Sequence, residues 1–109
     1  MTGIEVNDLN FRPYAKKDII RRILRNLLKV AEKENDKDSQ VRYLDAILAI
    51  SPDDRYSRAQ RAMLYYIDGK TERALSDINY LLEKFPDSPE NQPLRVIRSR
   101  LIDEGKSSF

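Results

Sequence analysis

Two segments of the chain end in the same way: residues 46–53 read AILAISPD, and residues 80–87 read YLLEKFPD. Each is a largely apolar run that closes on a proline followed by an aspartate, and Pro86 lies 34 residues after Pro52. A fixed period of 34 residues is typical of a repeat built from a helix, a turn and a second helix. Because two Pro-Asp pairs can coincide by chance, the positions between them have to decide whether the chain repeats.

The intervening positions follow the tetratricopeptide (TPR) repeat pattern. With the second proline at position thirty-two, repeat two covers residues 55–88 and places Gly69 at the turn between its helices. Ala62 falls at position eight, where a small residue lets the two helices approach closely. Arg58 and Arg61 depart from the pattern, which has Trp and Leu at positions four and seven.

The same phase assigns residues 21–54 to repeat one. Leu24 and Leu27 take positions four and seven, and Asn35 takes the turn, while Gln40 departs from the small residue of position twenty. Apolar side chains recur here at the i, i+3, i+4, i+7 spacing of an amphipathic helix. They are Ile20, Ile23, Leu24, Leu27, Leu28 and Ala31.

Helix start and stop signals agree with this phase. Asp18 is the predicted N-cap of the first helix, and the segment around Asp36 is predicted to end that helix and cap the second. Gly69 is expected just past the end of the third helix, with Thr71 as the next cap. Because proline is tolerated only in a first turn, Pro93 places the start of the last helix near residue 91.

The sequence therefore predicts an all-α protein made of two TPR-like helical hairpins and a C-terminal capping helix, a fragment of a right-handed solenoid. The expected boundaries are an N-terminal tail over 1–15, a helical domain over 16–104 and a C-terminal tail over 105–109. Within the domain, repeat one covers 21–54, repeat two 55–88 and the capping helix about 91–104.

The chain has no histidine and no cysteine, which excludes several classes of function. Ser-His-Asp and Cys-His catalysis, an ordinary zinc site and a disulfide framework all need these residues. A calcium loop starting at Asp36 fails, because Val41 and Ile47 stand where glycine and an acid are required. We therefore expect no enzyme, no cofactor and no metal, and read Asp53 and Asp54 as helix-capping residues rather than a catalytic dyad.

The N-terminus has no basic start followed by an apolar run, so no signal peptide is expected. The longest apolar stretch, residues 46–50, is far shorter than the roughly 20 residues of a membrane span. A net charge of +2 is too small to indicate nucleic-acid binding by itself. We expect a cytoplasmic protein that does not enter a membrane.

Several segments resemble one known family. Residues 10–27, NFRPYAKKDIIRRILRNL, resemble the entry to the C-terminal TPR region of bacterial SirB-type transglutaminase-like proteins. The stretches RAMLY at 61–65, ALSDI at 74–78 and FPD at 85–87 resemble its second repeat, and the resemblance covers about residues 10–103. The resemblance implies either the helical C-terminal part of such a protein or a stand-alone relative. The family's transglutaminase-like domain has no counterpart here, so no catalytic residue is carried over.

Charge alternates along the chain with the predicted helices. Residues 1–34 carry a net charge of +3, residues 35–54 carry −3, residues 55–70 carry +3 and residues 71–88 carry −2. The first helix of each hairpin is therefore basic and the second is acidic.

In TPR stacks the first helices line a concave groove, at positions two, five, nine and twelve of each repeat. Applied here, these positions and one neighbour predict the following partner-binding residues: Arg22, Arg25, Asn26, Lys29, Tyr56, Ala59, Met63 and Tyr66. A basic patch beside an aromatic and methionine surface suits a protein or peptide with acidic and apolar anchors. The predicted function is a non-catalytic protein–protein interaction module.

Three other interpretations stay open. The charges can be a solvated face with ion pairs between neighbouring helices. The module can be structural, packing on its own N-terminal domain or forming a homodimer. Arg55, Arg58 and Arg61 can form a stripe that contacts nucleic-acid phosphates, although the favoured interpretation pairs them with acids such as Asp54 and Asp68 or with the neighbouring acidic helices.

Overall fold

The computed structural model describes the backbone of residues 13–107 and the side chains of residues 16–104. This part of the chain forms five α-helices and no strand: α1 Pro13–Lys33, α2 Lys37–Ile50, α3 Arg55–Ile67, α4 Thr71–Lys84 and α5 Asn91–Ser107. The predicted all-α class is confirmed. The chain divides into two compact units between Asp53 and Asp54, the first with α1 and α2 and the second with α3, α4 and α5.

The first unit is a helical hairpin in which α1 packs against α2. Leu44 and Ile47 of α2 are completely buried, and Leu28 and Ala31 of α1 are nearly so. The two residues of each pair lie three positions apart, so each pair occupies one face of its helix. Gln40 is also buried, and its side-chain amide donates to the backbone carbonyl of Ala31 at 3.4 Å.

The second unit places α4 between α3 and α5. Its core consists of Ala62, Ala74, Ile78, Leu81, Leu94 and Leu101. Ala62 and Ala74 are completely buried, so the facing helices meet at residues with no side chain beyond Cβ. Tyr65, Tyr66 and Phe85 pack against this core from its edge and stay partly exposed.

The two hairpins repeat one another at a spacing of 34 residues. Asn35 and Gly69, which are 34 residues apart, both have a positive φ, of 57° and 75°. Each follows a helix with the same pair of backbone hydrogen bonds, from the turn residue and from the next residue back to the last turn of the helix. The helices that follow, α2 and α4, both have 14 residues.

Burial repeats with the same spacing. Four positions buried in the first hairpin have buried counterparts 34 residues later: Leu28 and Ala62, Gln40 and Ala74, Leu44 and Ile78, Ile47 and Leu81. The 34-residue period of the sequence is therefore present in both the turns and the cores.

Two of the predicted helix caps are confirmed. Asp36 is the N-cap of α2, where its carboxylate accepts a hydrogen bond from the Ser39 backbone N–H at 3.1 Å. Asp54 is the N-cap of α3 and accepts from the Ser57 backbone N–H at 3.3 Å. The last helix starts at Asn91, as predicted from the proline two residues later.

Two other predicted caps are wrong. Helix α1 starts at Pro13, inside the segment assigned to a tail, so Asp18 lies within the helix and its carboxylate pairs with Arg21 one turn later. Proline suits the first position of a helix, since it lacks the N–H that would be unpaired there. Thr71 is the first residue of α4, and the cap position is Lys70, whose side chain makes no capping hydrogen bond.

The left-handed turn residue gives a stability prediction. A Cβ atom added at Gly69 meets nothing within 4 Å, so the cost of Gly69→Ala is that of the backbone conformation, about 1–2 kcal/mol. Gly69→Asn should cost less, because asparagine tolerates this conformation and Asn35 adopts it in the first hairpin. Urea unfolding of both variants measures the difference. Equal stability of the two variants would contradict the argument.

The cap of α2 gives a pH prediction. The Ser39 hydroxyl donates to Asp36 at 2.7 Å, and this bond together with that of the Ser39 backbone N–H lowers the pKa of Asp36 below 3.8. Because the pKa is lower in the folded state, the stabilisation is present above the unfolded-state pKa and is lost as the pH falls through the folded-state pKa. In Ser39→Ala the Asp36 pKa should rise, because the hydroxyl donor is gone. Carboxyl NMR titration checks this, and an unchanged titration curve would refute it.

Candidate functional site

The eight predicted partner-binding residues lie on two surfaces, one in each unit. Four of them are on α1 in the first unit, and the other four are on α3 in the second. Each surface contains a pocket, but the two pockets differ in chemistry.

The surface of the first unit is an open basic pocket of about 520 Å³ on α1. Its lining residues are Asp18, Arg21, Arg22, Arg25, Asn26 and Lys29. All four predicted residues of α1 are among them. They come together because spacings of three, four and seven residues return to the same side of a helix. We call this site the α1 basic pocket.

Arg21 is already held within the hairpin. One of its guanidinium nitrogens pairs with Asp18, and the other donates to the hydroxyl of Ser51 at 2.8 Å. Ser51 is the C-cap residue of α2, so this contact joins the α1 basic pocket to the end of the second helix of the hairpin.

The rest of the α1 basic pocket is strongly positive. Helix α1 carries seven Lys and Arg residues against two acids, and Arg22, Arg25 and Lys29 are all exposed beside the engaged Arg21. Asp18 is the acid that lines the pocket, and it is paired with Arg21. Guanidinium and ammonium groups on one helix face attract carboxylates, and a guanidinium group also orients a carboxylate through two parallel hydrogen bonds.

The second unit has a smaller pocket of about 210 Å³ between α3, α4 and the start of α5. Its lining residues are Arg55, Ala59, Met63, Leu81, Ser88, Glu90, Asn91, Pro93 and Leu94. Leu81 and Leu94 belong to the buried core, so the pocket reaches the apolar interior of the unit. We call it the α3–α5 apolar pocket.

Polar groups gather at one side of this pocket. The Arg55 guanidinium lies 3.5 Å from the Ser88 hydroxyl and 4.0 Å from the Glu90 carboxylate. The Tyr56 hydroxyl donates to the other oxygen of Glu90 at 3.5 Å. These contacts are long, and those to Glu90 are exposed, so they constrain the four side chains only weakly.

Two of the four predicted residues of α3 line the α3–α5 apolar pocket, and the other two do not. Ala59 and Met63 line the α3–α5 apolar pocket, and Met63 is exposed. Tyr56 is 63% exposed and lies next to the pocket through its bond to Glu90. Tyr66 packs against the core of the second unit instead.

Arg58 and Arg61, which departed from the repeat pattern, converge on one buried carboxylate. Asp77 of α4 is only 2% exposed. It accepts hydrogen bonds from Arg61 at 2.6 and 2.8 Å and from Arg58 at 3.3 Å. The Arg58 guanidinium also lies 3.7 Å from the centre of the Tyr80 ring. We call Arg58, Arg61 and Asp77 the ionic trio.

The ionic trio agrees with the ion-pair interpretation of the stripe formed by Arg55, Arg58 and Arg61. Two of the three arginines of the stripe, Arg58 and Arg61, are paired with Asp77 of the neighbouring helix α4. Arg55 also lies beside an acid, at the α3–α5 apolar pocket. The contacts of all three arginines therefore lie within the second unit, as the ion-pair interpretation expects.

Sequence reasoning missed Asp77 and the α5 residues of the apolar pocket. A signal for Asp77 exists in the repeat. Leu24, Leu27 and Tyr43 stand 34 residues before Arg58, Arg61 and Asp77, so three apolar or aromatic positions become charged together in the second repeat. When basic and acidic residues replace uncharged ones together on neighbouring helices, their side chains are expected to contact one another.

No group of three acidic residues in the described part of the chain could hold a metal ion. Likewise, none of the described helices has both the length and the apolar character needed to cross a membrane.

The ionic trio gives a stability prediction. Asp77→Ala leaves two mostly buried guanidinium groups without their carboxylate, which should lower the free energy of unfolding by about 3 kcal/mol. Replacing all three, as Arg58→Leu, Arg61→Leu and Asp77→Val, keeps the volume similar and removes every charge. This triple variant should be nearly as stable as the parent, because replacing a buried ion pair by apolar groups often leaves the free energy of unfolding unchanged.

Urea unfolding followed by circular dichroism compares the parent, the single variant and the triple variant. A triple variant less stable than Asp77→Ala would show that the trio stabilises the unit beyond satisfying its own charges. An Asp77→Ala variant as stable as the parent would contradict the pairing.

Comparison with known proteins gives distant relatives. The chain is 28% identical over 79 residues to the UPF0162 protein YchA of Escherichia coli strain K12, and 27% identical over 79 residues to Protein SirB1 of Salmonella typhimurium strain LT2. Each alignment covers 72% of this chain and 29% of the relative, so the chain spans less than a third of the length of the curated relatives it matches. No family model and no solved structure matches it. The chain is thus distantly homologous to YchA and SirB1, in agreement with its resemblance to SirB-type proteins.

Proposed function

We propose that this chain is a non-catalytic protein-interaction module that binds a partner peptide or domain with acidic and apolar side chains. The observation that carries the proposal is the α1 basic pocket, which gathers four predicted residues on one exposed helix face. The names of the relatives state no activity, so the argument depends on this geometry.

We assign the two hairpins to the TPR type. Support comes from the 34-residue spacing, which relates the turns at Asn35 and Gly69, the lengths of α2 and α4, and four pairs of buried positions. Repeats of this type cannot bury their apolar faces alone and present binding surfaces on stacked helices. The right-handed solenoid stays a prediction, as does the cytoplasmic location.

The α1 basic pocket suits a carboxylate-bearing partner. Because Arg21 is engaged by Asp18 and Ser51, its neighbours Arg22 and Lys29 are the groups that a partner acid meets at the surface. Exposed charges of one sign increase the rate at which an oppositely charged partner associates, and they select against partners of the same sign.

The α3–α5 apolar pocket suits one apolar side chain of a partner. Its volume of about 210 Å³ is too small for a drug-sized ligand but fits a single large aliphatic or aromatic group. Anchors of this kind contribute most of the affinity in protein interfaces, while polar groups at the rim orient the partner. Arg55 and Glu90 stand at this rim.

We further propose that the module is the C-terminal helical part of a SirB-like, transglutaminase-like protein. The distant homology to SirB1 and YchA supports this, and both relatives are more than three times as long as the part that aligns. In such a protein the chemistry would belong to another domain, and the two pockets described here would bind partners.

Charge reversal in the α1 basic pocket tests the binding proposal. The double variant Arg22→Glu, Lys29→Glu should bind a labelled helical peptide of glutamate and leucine about tenfold more weakly than the parent, because two attractive contacts become repulsive. Fluorescence anisotropy measures the affinity. The control is Arg98→Glu, Arg100→Glu on α5, which makes the same change of net charge at exposed positions outside both pockets.

The control variant should retain the parent's affinity for the peptide. An equal loss in both variants would mean that net charge alone attracts the peptide, and the basic pocket would then have no specific role. A third variant, Met63→Glu, should also weaken binding of this peptide, because it places a charge in the α3–α5 apolar pocket. If the parent does not bind this peptide at all, the proposed partner chemistry is wrong.

A further inference from the structure

Helix α1 has an exposed apolar stripe that the interaction proposal does not use. Five large aliphatic side chains on this helix are exposed to between 37% and 53%: Ile19, Ile20, Ile23, Leu27 and Val30. On a helix of 3.6 residues per turn they fall within an arc of about 100°. Neither the α2-facing residues Leu28 and Ala31 nor the α1 basic pocket shares this arc.

The spacing within the stripe is that of a coiled-coil seam. Ile20, Ile23, Leu27 and Val30 follow one another at intervals of three, four and three residues, which are the a and d positions of two heptads. Ile19 lies directly beside the seam, at a g position. A stripe as narrow as this is suited to packing against one further helix rather than against a flat surface.

Both ends of the seam are charged, and the charges are opposite. Four residues before Ile20, the next d position is Lys16, and four residues after Val30, the next a position is Glu34. Both side chains are exposed. The Glu34 backbone N–H donates to the Val30 carbonyl at 3.0 Å, so the helical hydrogen-bond pattern continues to this residue and keeps it in line with the seam.

We propose that two copies of the chain associate through antiparallel pairing of their α1 helices along this seam. With the two-fold axis midway between Ile23 and Leu27, Ile23 of each copy faces Leu27 of the other, and Ile20 faces Val30. Lys16 then faces Glu34 of the second copy at both ends. The seam is therefore complementary to itself in both apolar contacts and charge, as a two-fold interface requires.

A parallel pair would lose this complementarity. It would place Lys16 against Lys16 at one end and Glu34 against Glu34 at the other, and like charges in facing positions are destabilising. In the antiparallel pair Arg22, Arg25 and Lys29 occupy c and f positions, which face away from the seam. The α1 basic pocket stays open, so self-association and binding of an acidic partner use different faces of α1.

The dimer should be weak and reversible. Two heptads give a small interface, and interfaces at the low end of the size range are typical of transient complexes. Helix α1 is already folded against α2, so the association does not have to order it. We expect dissociation in the micromolar range by sedimentation velocity.

Two substitutions test the apolar seam. Ile23→Lys should raise the dissociation constant by about tenfold or more, because two lysines enter the centre of the interface. Val96→Lys on α5 is the matched control, since Val96 is exposed to 48% but lies outside the seam, and it should leave the dimer unchanged. Circular dichroism and thermal unfolding of each variant verify that the fold is retained.

The chain has no cysteine, so introduced thiols report the orientation directly. When Lys16→Cys and Glu34→Cys chains are mixed under oxidising conditions, the disulfide between the two different chains should form faster than either disulfide between identical chains. The charge exchange Lys16→Glu should weaken the dimer, and Lys16→Glu, Glu34→Lys should restore it.

A parent that stays monomeric up to high concentration would overturn the proposal, as would a dimer that Ile23→Lys does not weaken. Faster formation of the 16–16 and 34–34 disulfides would replace the antiparallel arrangement with a parallel one. None of these measurements involves an acidic peptide, so they test the dimer independently of the proposed partner binding.

Discussion

The second unit depends on the close approach of α3 and α4 at two alanines. Ala62 and Ala74 are completely buried, and a larger side chain at either would push the helices apart. Because the helices are close, Arg58 and Arg61 of α3 reach Asp77 of α4, and α4 can present Ile78 and Leu81 to α5. The core, the ionic trio and the apolar pocket all follow from this contact.

The helices and turns could be predicted from the sequence because their signals are local. A left-handed residue at a helix end is marked by Gly69 or Asn35, and a proline in a first turn marks the start of α5. The two wrong caps show the limit of local signals. Aspartate is a common N-cap residue, which is why Asp18 was predicted to be one. The helix instead starts earlier, at Pro13, and Asp18 pairs with Arg21 one turn later.

The α1 basic pocket could be predicted for the same reason, since its residues share one helix face and the helical period alone brings them together. The apolar pocket could not. Its α5 residues are about thirty residues away from Met63 in the sequence, and only the packing of α5 on α4 brings them to it. Tyr66, another residue predicted for the binding surface, packs against the core of the second unit and stays partly exposed. Contacts of this kind depend on tertiary packing, which propensity and spacing do not encode.

The ionic trio has a consequence for how the chain avoids misfolding. Repeat proteins are prone to exchange equivalent helices between repeats, because those helices have similar shapes and similar apolar faces. Here an exchange in which α2 took the place of α4 would set Arg58 and Arg61 against Tyr43, with no carboxylate to receive them. The guanidinium groups would lose their partner in a partly buried position. The charged positions thus favour the pairing of α3 with α4 over a pairing of α3 with α2.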